Sequence, residues 1–176
     1  MTNSNASVIN REFIKNLRVA ETMLLLLGSV ILQFIIHLIP PVNGIPLGQI
    51  LLPAFYAPLI AILFFRLHVG LIAAIAGPIL NYFITGAPKP EILAALTIEV
   101  AIFTIVYNIL INDTRIKNTS AFISIIAAVL FSFLLLPILD ESSFANANFL
   151  QSFIIIIPGI VLLSFLNIFL LRYKSK

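Results

Sequence analysis

A chain of 176 residues that is 61% hydrophobic and only 10% charged cannot cover itself in water, where a soluble domain carries roughly 25% charged residues. Its mean hydropathy of +1.14 points to lipid as the solvent, and the net charge of +3 sits at the ends of apolar runs, which argues against nucleic-acid binding. With no cysteine in the chain, structural disulfides, thiolate metal sites and a cysteine nucleophile are excluded.

In chain order, residues 1–7 are polar and predicted to fray. Residues 8–18 read as a short amphipathic helix at the membrane surface, with Ile9, Phe13 and Leu17 four apart and Arg11, Lys15 and Arg18 opposite them. A tail and interfacial helix thus occupies residues 1–18, and a transmembrane domain residues 19–176. No cleavable signal is expected, because the first apolar run follows a polar stretch and outlasts a signal core. About six helical spans of roughly 20 residues each fill the rest. The first covers residues 19–39 and ends at Pro40-Pro41-Val42-Asn43-Gly44-Ile45-Pro46, whose prolines break a helix. The second covers 47–65 with Pro53 and Pro58 inside it, and the third 69–84 with Gly77-Pro78. After Thr85-Gly86-Ala87-Pro88-Lys89-Pro90 comes the fourth, 92–111. A polar turn at 112–119 leads to the fifth, 120–139, and the polar loop 140–148 to the sixth, 149–171, with Pro158-Gly159 near its middle.

Basic residues orient this arrangement. With the N-terminus in the cytoplasm, the inner segments hold Arg11, Lys15, Arg18, Arg66, Arg115, Lys117, Arg172, Lys174 and Lys176, and the outer loops hold Lys89 alone. That asymmetry obeys the positive-inside rule with an even number of spans and both termini cytoplasmic.

The outer loops are longer than the inner ones, mostly rich in Pro and Gly, and carry neutral polar groups. Irregular backbone at membrane depth survives only where protein or a water-filled cavity covers it, so a cavity is expected near the outer face. Its candidate lining is Asn43 and Gln49, then Asn81, Thr85 and Lys89, then Glu99 in the fourth span, and finally Asn146, Asn148 and Gln151. Amides offer both donors and acceptors, which suits a polar small molecule. Glu99 stands out, because an ionisable group inside a span costs a few kcal/mol, roughly, and commonly faces a cavity or a partner. Tyr56, Tyr82 and Tyr107 fit either ligand stacking or interfacial anchoring. Small residues four apart, Ala57 and Ala61 in the second span and Gly70, Ala73, Ala74 and Gly77 in the third, allow close helix approach, within the chain or onto a partner.

No phosphate-binding G-x-x-x-x-G-K-[ST] loop, no H-E-x-x-H and no Ser-His-acid set occurs, so neither ATP hydrolysis nor another enzymatic activity is expected, and no metal or cofactor. No inverted second half of the kind found in many secondary transporters is evident. A binder that cannot power itself implies an energised partner.

The stretch from residue 46 to 103 resembles the substrate-binding S component of energy-coupling factor (ECF) transporters. The resemblance rests on Pro53 in the second span, the Gly70-to-Pro78 run, the Thr85-Gly86-Ala87-Pro88-Lys89-Pro90 loop and Glu99. It implies a multi-pass protein of the cell membrane that captures a vitamin or related micronutrient near the outer face. It also implies a transmembrane coupling subunit and two ATPases as partners. One departure concerns docking: the family's first span often carries Ala-x-x-x-Ala, whereas this one has Ala20 and Gly28, leaving the third span as a substitute. An MreD-like membrane scaffold of the cell-shape machinery is the alternative. That family also has a Gly-rich third span with a Gly-Pro loop after it, but usually shows Asp near the end of the span, where this chain has Asn81.

Overall fold

The computed structural model describes residues 3–86, 88, 90–139 and 149–174, with side chains over 19–86, 88, 90, 92–134, 151 and 153–174. The first helix, α1 (Asn3–Leu38), runs unbroken for 36 residues. The expected frayed tail and separate surface helix are therefore replaced by one rod that begins at Asn3. No proline precedes Pro40, and the only glycine before it is Gly28, a cost of about 1 kcal/mol that a long helix absorbs. The chain leaves helical geometry just before Pro40-Pro41, as the restriction on residues preceding proline requires.

The second apolar stretch is not the single helix expected. It divides into α2 (Leu47–Leu51), a 3-10 turn over Pro53–Phe55, and α3 (Tyr56–Phe64). Pro53 lacks an N–H and its ring disfavours helical geometry at Leu52, which adopts left-handed angles, φ 54 and ψ 49. The freed Leu51 carbonyl accepts the Tyr56 hydroxyl at 3.0 Å. Pro58, by contrast, falls in the first turn of α3, where a missing donor breaks nothing.

Then come α4 (Leu67–Thr85), closed by Gly86 at φ 69, and α5 (Pro90–Leu110). The last two are α6 (Ser120–Leu139) and α7 (Phe149–Lys174). Among the described residues there is no strand, only an isolated bridge between Val42 and Ile45. Four of the helical segments, Val19–Leu38, Leu67–Thr85, Ile92–Leu110 and Phe153–Lys174, are long and apolar enough to cross a membrane, as a multi-pass membrane protein requires. Their outward faces agree with lipid as solvent: Leu24 is 70% exposed, Phe83 77% and Phe165 69%, an apolar surface that water would not tolerate.

Helices α1, α4, α5, α6 and α7 pack in that order, with α3 against α1, α4, α5 and α7, and α2 against α7. The core lies between them. Phe55 meets Phe103 edge-on at 5.1 Å between ring centroids, and Phe103 stacks on Tyr107 at 5.5 Å, both favourable aromatic geometries. Leu59, Val100, Ile125 and Leu163 complete it at 0% exposure.

Candidate binding site

The two ends of the bundle differ. At one end, hydrogen bonds tie three segments together. The Tyr107 hydroxyl donates to Asn167 Oδ1 at 2.6 Å. Asn167 Nδ2 donates to the carbonyls of Lys117 at 3.1 Å and Asn118 at 3.0 Å. Lys174 Nζ donates to the Leu63 carbonyl at 2.6 Å, where α3 is ending and its last carbonyls lack helical partners. The α3–α4 turn, the 112–119 turn and the end of α7 thus share one end, and with them Arg66, Arg115, Lys117, Arg172 and Lys174. This end is tightly packed: Tyr107, Asn167, Ser120 and Ser124 are all at 0% exposure.

Packing loosens towards the other end along the same helix faces. On α5 the inward positions recur every three or four residues. Tyr107, Phe103 and Val100 are sealed, Leu96 is half-buried, and Ile92 is 48% exposed. On α7, Asn167 and Leu163 are sealed and Ile160 is 3% exposed, while Ile156 and Phe153 are half-buried. Leu96, Phe153 and Ile156 all sit at the margin of the one core. On both helices, then, the inward face is sealed near the cationic end and more exposed towards the opposite end.

Glu99 lies on α5 where sealing gives way. It is half-buried, and the Ser132 side chain of α6 lies within interaction reach of its carboxyl. Ser132 is itself only 9% exposed.

The other sequence candidates separate into groups. Asn43 is exposed and occupies a two-residue turn with Gly44, at φ 52 and 79. Reciprocal backbone bonds of 3.0 Å between Val42 and Ile45 close it. Asn-Gly is the pair such a turn selects, so the turn accounts for Asn43 without a ligand. Gln49 on α2 and Gln151 on α7 are exposed. Thr85 bonds back to the Asn81 carbonyl at 2.8 Å. Asn81 is 2% exposed, on the same α4 face as Gly77. Lys89, Asn146 and Asn148 lie outside the described residues.

The small residues are taken up inside the chain. Ala57, Ala61, Ala73 and Ala74 are at most 4% exposed. A methyl on Gly70 would meet Ile62 and Thr104 at 3.0 Å, and one on Gly77 would meet Ser29 Oγ at 3.3 Å. Their close-approach role is fulfilled by α1, α3, α4 and α5 packing on one another. Tyr107, expected at an interface or against a ligand, is instead a core residue.

Sequence reading missed Ser29, Gln33 and Asn167. Gln33 Nε2 donates to Ser29 Oγ at 3.2 Å, and both are buried beside Gly77. Polar residues within apolar spans were the available signal, overlooked because none of the three is ionisable. No family model, no curated protein and no solved structure matches this chain.

Proposed function

We propose that the chain is the substrate-binding membrane subunit of an ECF-type uptake transporter, capturing a vitamin or related micronutrient at the outer face of the cell membrane. In this reading α2 with α3, and α6, complete six spans with the four long ones. The cationic end, with both termini, faces the cytoplasm and the loosely packed end faces outward. The observation that carries the reading is the graded opening of the inward face of α5, from Val100 at 0% to Ile92 at 48% exposed. A site that is apolar, concave and furnished with a few polar groups is the usual form of a small-molecule pocket. The candidate contacts among the described residues are Glu99 on α5 and Gln151 on α7. Energy for release then comes from a coupling subunit and two ATPases, since this chain carries no nucleotide-binding loop.

The experiment is ligand identification. Protein purified from cells grown in rich medium is expected to carry one small polar molecule at near-stoichiometric occupancy, read by mass spectrometry. Finding none, together with no affinity for a vitamin panel, would remove the transport reading.

A further inference from the structure

We propose that the cations of the sealed end form a binding site for the phosphate headgroup of one anionic phospholipid, centred on Arg66, Lys117 and Lys174. The inference goes beyond the binding-subunit reading. It needs neither that reading nor a particular orientation, only that the chain crosses a membrane.

Hydrogen bonds gather three segments around one face of α7. Asn167 holds the carbonyls of Lys117 at 3.1 Å and Asn118 at 3.0 Å, so the Lys117 side chain departs from a fixed point. Lys174 lies on the same face two helical turns later, about 10 Å further along the axis. Its Nζ donates to the Leu63 carbonyl at 2.6 Å, which closes the end of α3. From Leu63 the chain reaches Arg66 in three steps, at most about 11 Å away. Arg66 is extended, at φ −153 and ψ 164, and its carbonyl accepts the Gly70 N–H at 3.1 Å. Leu170 and Leu171, half-buried against the core, lie on α7 between the two anchor points.

Charge then selects the occupant. Residues 63–68, 112–119 and 172–174 hold Arg66, Arg115, Lys117, Arg172 and Lys174 against Asp113 alone, a net +4 with His68 neutral. Asp113 turns back on its own loop, where Oδ1 accepts the Arg115 backbone N–H at 2.9 Å. Like charges gathered on one rim repel, and an anion among them relieves that repulsion. The neighbours fix the depth. Phe64 and Tyr173 are exposed, each within two residues of a cation, and aromatics at the ends of membrane helices sit at headgroup level. The anion abundant at that level is lipid phosphate. Arg66 offers it a planar fork of N–H donors, while Lys117 and Lys174 add compact charge. Phe64 and Tyr173 offer apolar area to the acyl chains.

The test titrates the full chain in detergent with dioleoyl phosphatidylglycerol, and with dioleoyl phosphatidylcholine as the headgroup of no net charge. Native mass spectrometry reads lipid adducts per chain. One phosphatidylglycerol is expected to bind at least tenfold tighter than phosphatidylcholine. Each Lys or Arg near an anionic surface is worth about fivefold in affinity. Arg66→Gln and Lys117→Gln should therefore each weaken phosphatidylglycerol about fivefold, and together more than tenfold, with phosphatidylcholine unchanged. Both side chains are exposed, so both variants should fold, whereas Lys174→Gln would also uncap α3. If one single variant aggregates, the other decides. Phosphatidylglycerol and phosphatidylcholine bound within twofold of each other overturns the site, as does a loss of less than twofold in the variants. Inorganic phosphate that displaces phosphatidylglycerol at equal concentration also overturns it, since the ligand would then be a soluble anion. The binding-subunit reading survives each of these results.

Discussion

The Tyr107 hydroxyl and the Asn167 amide oxygen meet at 2.6 Å across 60 residues of sequence, with both side chains at 0% exposure. Asn167 uses both of its N–H donors as well, since its Nδ2 holds two carbonyls of the 112–119 turn. Asn167→Ala is expected to destabilise the fold by about 1–3 kcal/mol, because it strands a hydroxyl and leaves two carbonyls with fewer donors. Tyr107→Phe, which removes one interhelical bond and keeps the ring stack on Phe103, should cost about 0.6–1.7 kcal/mol. Thermal unfolding in detergent checks the order; equal effects would argue against Asn167 as the hub.

A second expectation concerns Gly159. A methyl there would lie 2.6 Å from the Ile50 carbonyl oxygen and 3.0 Å from the Leu51 carbonyl carbon. These are backbone atoms at the break before Pro53, and they cannot swing aside. Gly159→Ala should therefore cost about 1–3 kcal/mol through overpacking. Gly28→Ala, with nothing within 4 Å of the added methyl, should be neutral or mildly stabilising. A melting comparison of the two variants reads this directly.

The small-residue faces give a third expectation. Were Ala61 and Gly77 reserved for a partner, enlarging them would leave the isolated chain unchanged. Because Ala61 is at 0% exposure and Gly77 abuts Ser29 and Gln33, Ala61→Leu and Gly77→Leu should each destabilise the chain alone by about 1–3 kcal/mol. An unchanged melting temperature for both would restore the docking reading.

Asn43 supplies a fourth. Asn43→Gly keeps the positive φ available and should alter neither stability nor ligand affinity. Asn43→Val should cost about 1–2 kcal/mol, the penalty for left-handed backbone in an ordinary residue. A tenfold loss of affinity in Asn43→Gly would make Asn43 a ligand contact after all.

Much of the fold was legible because apolar run length fixes helix length and prolines fix breaks. The helix expected at 120–139 is α6 residue for residue, and the polar turn before it is where the hydrogen bonds gather. Pro53 misled because its effect depends on context: proline in the first turn, like Pro58, continues a helix, while Pro53 ends one, and only the packing of Tyr56 and Gly159 around Leu52 decides between them. The site was less legible. Asn43 and Gln49 look like ligand groups in sequence, yet a turn accounts for the first and both are exposed. The burial gradient along α5 and α7 depends on how the helices pack, which one strand of sequence does not reveal. Glu99 could be singled out from its apolar neighbours, but Ser132, 33 positions on, could not be paired with it without the fold.

The central claim is that the sealed cationic end and the loosely packed end lie on opposite sides of one bilayer. The chain has no cysteine, so single cysteines report cleanly. Asn43→Cys and Asn118→Cys, probed in intact cells with a membrane-impermeant maleimide, decide the matter. The account predicts that position 43 reacts from outside and position 118 only after permeabilisation; labelling of 118 from outside, or of both from the same side, would contradict it.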